Sequence, residues 1–182
     1  MNLWLRILWL LLCTPFRKKL EAPFGVSKLN WRVLPNDLDT NLHMNNGRYL
    51  TMMDLGRFDL ILRMGLLGQA RRRKWIPVLT AAKVRFRREL KLFQGYRLET
   101  RIVWWSDTHF VMEHRMITAG RDAKEQVACI ALMLGGIYER AARRFVPIAE
   151  LMSVMHVNAE SPAPSAEIEA FLAAELALKK AA

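Results

Sequence analysis

Residues 47–67 form a long apolar segment, and this segment is the strongest constraint on the fold. Some of its apolar side chains recur at helical spacing and others fill the remaining faces. They are Tyr49, Leu50, Met52, Met53, Leu55, Phe58, Leu60, Ile61, Leu62 and Met64. A helix that is apolar nearly all round must be buried. We therefore predict one long central helix with a sheet wrapped about it.

Strand-like segments lie on both sides of this helix. Val, Ile, Phe, Trp and Thr are common in them, as strands require. The predicted strand segments are 28–34, 77–92, 97–118 and 126–138. The third contains a turn near Asp107 and counts as two strands, while 68–75 is predicted as a basic loop. The sequence therefore predicts an α+β fold with an antiparallel sheet of about five strands.

Composition limits the classes of protein that fit this pattern. A chain of 182 residues suits one domain with short additions, and its 52% hydrophobic content excludes global disorder. The two cysteines, Cys13 and Cys129, argue against a disulfide framework and fit a cytoplasmic location. The formal net charge of +11 predicts anionic partners, such as phosphate-bearing ligands, nucleic acid or an acidic membrane surface.

Residues 1–21 are an apolar and basic N-terminal segment. As a helix, its apolar part 3–16 would reach about 21 Å, which is short of the roughly 30 Å hydrocarbon core of a bilayer. Trp4 and Trp9 suit the headgroup region, and the basic run 17–19 suits anionic lipid. We predict a peripheral anchor that lies on the membrane surface. A helix packed on the protein itself or on a dimer partner is the main alternative, and a cleaved or spanning segment is another.

The remainder of the chain divides into three parts. Residues 22–157 are predicted to form the main domain, and 158–166 a linker rich in Pro, Ala and Ser. Residues 167–182 are predicted to form an amphipathic helix, with Ile168, Leu172 and Leu176 on one face.

The loop before the central helix carries polar residues at a distinctive spacing. It reads Asp37-Leu-Asp39-Thr-Asn-Leu-His43-Met-Asn45-Asn46-Gly-Arg-Tyr49. This sequence resembles the active-site loop of the hotdog-fold thioesterases, of the 4-hydroxybenzoyl-CoA thioesterase-like kind, in a branch with an apolar N-terminal leader. That family combines Asp-x-Asp, His-x-Asn-Asn and a Tyr in the first turn of its central helix. The element order of residues 28–147 is similar to that family as well.

The resemblance implies a hotdog fold and a homodimer or tetramer with the pocket between subunits. It also implies a thioesterase in lipid metabolism that hydrolyses an acyl-CoA or acyl-carrier-protein thioester to a carboxylate and a thiol. Neither a cofactor nor a metal is implied.

Chemistry assigns roles within the loop. Thioester hydrolysis needs a group that attacks the carbonyl carbon or activates water, and it needs N–H donors for the developing oxyanion. Asp39 is predicted to be the nucleophile or general base, with His43 and Asn45 assisting. Asn45 and Asn46 could also simply cap the helix that follows. The first N–H groups of a helix are unpaired, so those near Asn46 and Gly47 are the predicted oxyanion donors.

Five further residues are predicted to contact the substrate. Tyr49 would contribute packing and a hydroxyl contact, and Met53 would line an acyl pocket. Arg85, Arg87 and Arg88 would bind the phosphates of coenzyme A, because guanidinium groups bind phosphate bidentately. Anionic lipid would suit the same arginines, and a solvated face is the simpler alternative. Nucleic acid is disfavoured, since the sequence contains no recognised nucleic-acid motif.

Several alternatives remain open for the acids. Asp37 is predicted to be structural, and Asp39 could also be a turn residue, because Asp side chains cap their own backbone. Asp54 is predicted to pair with Arg57 along the helix and is the second candidate for the catalytic carboxylate. Leu42 stands where many family members carry Gly, so it could narrow the pocket or alter the turn.

Two other function classes share these features. A non-catalytic module on the same fold would bind acyl-CoA or an acyl-carrier protein, with Asp39 only as a turn residue. A membrane-associated interaction protein would use only the N-terminal segment and the C-terminal helix.

Overall fold

The computed structural model describes residues 2–120, 122 and 124–181. The helices are α1 (Asn2–Cys13), α2 (Asn46–Arg63), α3 (Leu66–Arg73), α4 (Ile148–Val154) and α5 (Ala166–Ala181). The strands are β1 (Ser27–Arg32), β2 (Trp75–Phe86), β3 (Gly95–Trp105), β4 (His109–Ala119), β5 (Glu125–Glu139) and β6 (Arg144–Phe145). Short 3-10 turns at Thr14–Phe16 and Pro35–Asp37 complete the regular structure.

The strands form one antiparallel sheet in the order β1-β3-β4-β5-β2, and the two-residue β6 pairs with β5. The pairing register shifts within the β2–β5, β3–β4 and β4–β5 pairs. Such irregularities bend strands and increase their twist, which lets the sheet curl. The helix α2 lies in the concave side, as the apolar segment predicted. The α+β architecture with five main strands is therefore confirmed, and β6 is a short addition.

The core lies between α2 and the sheet. Met52, Met53 and Leu55 from the helix are fully or almost fully buried, together with Leu98 of β3 and Met133 of β5. The helix also approaches β3 very closely at Gly56. A Cβ atom at that position would overlap the Thr100 hydroxyl, so this crossing requires glycine.

The central helix is shorter than predicted. It ends at Arg63, and Gly65 then adopts a left-handed backbone with φ of 78°. A second helix, α3, occupies Leu66–Arg73, where the sequence predicted a basic loop from 68. The loop prediction was wrong because Leu66 and Ala70 bury one side of this arginine-rich segment and stabilise it as a helix.

The N-terminal helix α1 packs on the domain through one face. Leu10 is buried against the core, and Leu3 and Ile7 are partly buried beside it. Arg6 on the same face is also buried. Within the described residues, no helix combines the length and apolar character needed to cross a membrane.

The segment after α1 is tied to the second half of α2. Arg17 forms an ion pair with the buried Asp59, and the Arg63 guanidinium donates to the Lys18 carbonyl at 2.7 and 2.9 Å. Ser27 donates its hydroxyl to the same Asp59 carboxylate at 2.6 Å. At the other end of the chain, α5 packs on the outer face of the sheet, where Phe171 is buried.

Gly56→Ala tests the close approach of α2 to β3. Overpacking should lower the free energy of unfolding by roughly 1–3 kcal/mol. The matched control is Gly68→Ala in α3, where an added Cβ would meet nothing within 4 Å. That change should be neutral or stabilise by up to about 1 kcal/mol, because Ala favours helix. Urea unfolding of both variants measures the difference, and equal midpoints would contradict the close packing.

Candidate functional site

The polar loop between β1 and α2 is held as a compact turn. The Asp39 N–H donates to the His43 carbonyl at 2.9 Å, and the Leu42 N–H donates to the Asp39 carbonyl at 3.1 Å. Two isolated bridges, Leu38 to Met44 and His43 to Lys91, attach the loop to itself and to the segment after β2. The loop therefore has a defined shape that presents its polar side chains at the start of α2.

Leu42 sits at the tip of this turn with a left-handed backbone, φ of 62°. This conformation is unfavourable for residues with a Cβ and natural for glycine. The resemblance leads us to expect Gly at this position. Leu42 keeps the turn, but it adds backbone strain and an exposed apolar side chain. The Leu42 side chain is 71% exposed.

Asp37 is the buried anchor of the loop. Its carboxylate forms ion pairs with Arg6 of α1 at 2.7 Å and with Arg48 of α2 at 2.9 Å, and it accepts the Leu34 N–H at 3.0 Å. Burial alone would raise the pKa of Asp37, but the hydrogen bonds from Leu34, Arg6 and Arg48 outweigh it and hold that pKa below its usual value. These contacts are the structural role that the sequence predicted.

Asp39 is partly exposed and has one oxygen in use. Its Oδ1 accepts the Asn41 N–H at 2.9 Å, the geometry of an Asx turn. Its Oδ2 has no hydrogen-bond partner within the described part of the chain. The residue therefore stabilises the turn and keeps one carboxylate oxygen available for chemistry.

The Nε2 atom of His43 contacts the carboxylate of Glu89, which follows β2. Both side chains are partly exposed. The sequence reasoning gave Glu89 no role, because the two residues are far apart along the chain. The bridge between His43 and Lys91 brings these segments together.

The start of α2 differs from the prediction in one respect. Asn45 caps the helix, its Oδ1 accepting the Gly47 N–H at 2.8 Å, and its carbonyl accepts the Arg48 N–H at 2.8 Å. Gly47 therefore already has a partner and is not a free oxyanion donor in this arrangement. Asn46, as the first helical residue, retains an N–H that helix geometry leaves unpaired.

Two predicted substrate contacts lie in the core. Tyr49 is 2% exposed and packs edge-on against Phe86, with ring centroids 5.1 Å apart. Burial raises the pKa of the Tyr49 phenol to about 12. Met53 is fully buried among core side chains. Neither side chain is open to a ligand in the single chain, so their contact with substrate stays a prediction.

The three predicted phosphate-binding arginines are exposed but do not share one setting. Arg85 borders an open depression of about 520 Å³ between the sheet and the start of α5, together with Lys83, Arg101 and Arg115. Arg87 and Arg88 follow β2, and their N–H groups both donate to the Ala128 carbonyl, at 2.8 and 3.0 Å.

An apolar cavity of about 370 Å³ lies beside the second half of α2. Its walls come from α1, α2, β2, the β3–β4 hairpin, β5 and α4, and Asp54 and Arg57 are its charged lining residues. These two form the ion pair that the sequence predicted. Burial lowers the pKa of Arg57 to about 10. The sequence predicted an acyl pocket along this helix but named Met53, which does not line this cavity. The other walls come from segments distant along the chain, so local patterns could not identify them.

The fold and the loop agree with what comparison with known proteins finds. A sequence profile of the Thioesterase-like superfamily matches residues 33–173, which include the loop, the sheet and part of α5. The chain belongs to this superfamily. The match also reaches beyond the main domain, into the C-terminal helix.

A curated relative is Protein THEM6 from Danio rerio, 39% identical over 114 residues, which are 63% of this chain and 56% of that protein. Protein THEM6 from Xenopus laevis is 37% identical over 90 residues, 50% of this chain and 44% of that protein. The chain thus matches only about half the length of these curated relatives.

Two solved structures show the same fold at low identity. The 4-hydroxybenzoyl-CoA thioesterase from Pseudomonas sp. strain CBS-3 is 15% identical, with 71% of this chain and 98% of that chain covered and a TM-score of 0.64. A Staphylococcus aureus protein solved in complex with CoA is 14% identical, with 80% and 91% covered and a TM-score of 0.64. The hotdog fold of this superfamily member is therefore confirmed.

Asp37→Asn tests the buried anchor. The variant leaves Arg6 without its counter-charge, so the free energy of unfolding at neutral pH should fall by about 3 kcal/mol. The folded-state pKa of Asp37 is lowered, so its contribution is present above the ordinary carboxyl pKa and is lost as pH falls through the folded value. The difference in the free energy of unfolding between wild type and variant should therefore become smaller below about pH 4.

The measurement is urea unfolding from pH 7 to pH 3. The control is Glu125→Gln, which removes an exposed carboxylate bound to Arg97 and should change little at pH 7. A gap between wild type and Asp37→Asn that stays constant across this range would contradict the assignment.

Leu42→Gly tests the left-handed turn. It removes the Cβ strain, while Leu42→Ala removes the same exposed side chain but keeps that strain. Gly should be about 0.5–1 kcal/mol more stable than Ala here, because the strain relieved exceeds the added unfolded-state entropy. Thermal and urea unfolding of the two variants provide the comparison. Equal free energies of unfolding for the Ala and Gly variants would contradict a strained turn.

Proposed function

We propose that this chain hydrolyses an acyl thioester, converting acyl-CoA and water to a carboxylate and coenzyme A. The observation that carries the proposal is the loop before α2, where Asp39 keeps one oxygen available. The first helical residue, Asn46, retains an unpaired N–H in the same segment. Superfamily membership and the relative solved with CoA support the same substrate class.

The chemistry follows from these positions. In one route Asp39 takes a proton from water, whose oxygen then attacks the thioester carbon. In the other its carboxylate attacks that carbon directly, and water later hydrolyses the resulting mixed anhydride to release the carboxylate and regenerate Asp39. The Asn46 N–H at the positive end of α2 stabilises the oxyanion. The C–S bond then breaks, and the sulfur leaves as a thiolate that takes up a proton. His43, held by Glu89, orients the carbonyl or the water.

The cavity beside α2 suits the acyl group. A space of about 370 Å³ with apolar walls fits a chain of roughly a dozen carbons, at about 30 Å³ for each water-sized group. Asp54, one of its lining residues, lies about 12 Å along α2 from Asn46. An extended acyl chain can bridge that distance.

A homodimer is part of the proposal. The strand β2 is 12 residues long and lies at one edge of the sheet. An edge of that length offers unpaired N–H and C=O groups to another strand. Pairing of β2 with its copy would satisfy them and place the loop of one subunit near the helix of the other.

Asp39→Asn tests the catalytic acid. Asn keeps an oxygen for the Asn41 N–H, so the turn is retained while the carboxylate is removed. We expect thiol release from a panel of aliphatic and aromatic acyl-CoAs to fall at least about 100-fold. Glu125→Gln, on the exposed start of β5, is the control and should keep wild-type turnover.

The result for Asp39→Asn is compared with that for Asp54→Asn. Full turnover in Asp39→Asn together with loss in Asp54→Asn would move the catalytic role to the helix. Circular dichroism of each variant confirms that the fold is intact.

A second candidate function is a non-catalytic acyl-CoA or acyl-carrier-protein binding module. The hydrogen bond from Asn41 to Asp39 favours it, because a turn residue needs no catalytic role. Calorimetric binding of acyl-CoA without thiol release from either wild type or Asp39→Asn would support this function over hydrolysis.

A further inference from the structure

The helix α1 has an unusual division of side chains. The face that packs on the domain carries the charged Arg6, which is 5% exposed, beside Leu10 at 2%. The outer face of α1 is apolar and open. It consists of Trp4, Leu5, Leu8, Trp9 and Leu12, and is extended by Phe16 in the following turn. Trp4 is 74% exposed and Phe16 is 91% exposed. Soluble proteins rarely expose a continuous patch of large apolar side chains.

This orientation is fixed by buried contacts. Arg6 donates to Asp37 at 2.7 Å, and its guanidinium lies over the Trp31 ring, 5.5 Å from the centroid. Just beyond the helix, Arg17 pairs with Asp59 and donates to the Lys28 carbonyl at 2.8 Å. Turning the apolar side inward would place Arg6 in solvent and leave Asp37 buried without this partner, which is costly. The outer face therefore stays outward.

We propose that the outer face of α1 docks on the surface of a bilayer that contains anionic lipid. The helix has 12 residues and is about 18 Å long, which suits a helix lying in the interface. Trp4 and Trp9 are the side chains that favour the headgroup region. Lys18 and Lys19 are exposed and lie beyond the 3-10 turn that follows the helix, so they can meet anionic headgroups.

Charge favours lipid over a second copy of the chain. Two copies meeting through this face would share one symmetric patch and would bring their Lys18 and Lys19 side chains toward each other. The net charge of +11 would add to that repulsion. Anionic lipid neutralises the same groups. Docking would therefore remove the apolar face from water and would pair the two lysines with anionic headgroups.

Docking would also fix how the candidate active site faces the bilayer. Asp37 joins Arg6 on α1 to Arg48 on α2, and it accepts the Leu34 N–H of the loop. These contacts hold the loop and α1 together. This inference does not require hydrolysis, and its test measures binding without turnover.

The experiment uses the full chain and two kinds of vesicle, phosphatidylcholine alone and an equimolar mixture with phosphatidylglycerol. Cosedimentation gives the partition coefficient. Wild type should bind the mixed vesicles, and Trp4→Gln with Trp9→Gln should lower that binding at least tenfold. Lys18→Gln with Lys19→Gln should lower it roughly 25-fold on the mixed vesicles, at about fivefold for each lysine, with little effect on phosphatidylcholine.

The matched control is Leu176→Gln with Leu178→Gln on α5. These side chains are 54% and 69% exposed, similar to the outer face of α1, but lie on another helix. The control should bind like wild type. Absence of wild-type binding to the mixed vesicles, or equal binding by the tryptophan variant, would overturn the proposal. Light scattering in vesicle-free buffer addresses the second copy: an oligomer that dissociates only in the tryptophan variant, with vesicle binding unchanged, would assign this face to self-association.

Discussion

The ion pairs of the buried Asp37 carboxylate with Arg6 and Arg48 are the interactions on which the rest of this structure depends. A carboxylate without exposure is stable only when cations and N–H donors surround it. Here the cations come from two helices, Arg6 on α1 and Arg48 on α2, and the N–H comes from Leu34. One side chain thus fixes the N-terminal helix, the loop and the start of the central helix relative to one another. The available oxygen of Asp39 owes its position to this arrangement.

A second buried acid repeats the principle at the other end of α2. Asp59 receives Arg17 from the N-terminal segment, Ser27 from the start of β1 and Arg63 from its own helix. The N-terminal segment is therefore attached at two acids that are 22 positions apart in the sequence. Asp37 lies in the loop before α2, and Asp59 lies near the end of that helix. The chain uses arginine for both attachments, since its planar group can satisfy several acceptors while buried.

Local sequence patterns predicted the helices and strands whose formation depends on residues close together in the chain. The central helix, the main strands and the C-terminal helix follow from periodicity, and the loop motif indicated the superfamily that the profile match shows. The ion pair between Arg6 and Asp37 joins residues 31 positions apart, so no local pattern reveals it. The helix α3 was missed because its arginines suggested a loop, and the partner that Asn45 gives to Gly47 depends on side-chain geometry.

The double attachment of the N-terminal segment has a consequence for how this protein can be shortened. A chain that begins at residue 22 would lose the apolar face of α1 and so become easier to keep in solution. It would also lose Arg6 and Arg17, and with them one cation from each of two fully buried carboxylates. The same cut would remove Leu3 and Ile7 from the wall of the apolar cavity. Removal of the N-terminal segment would therefore improve solubility, but it would also disrupt the buried ion pairs and the wall of this cavity.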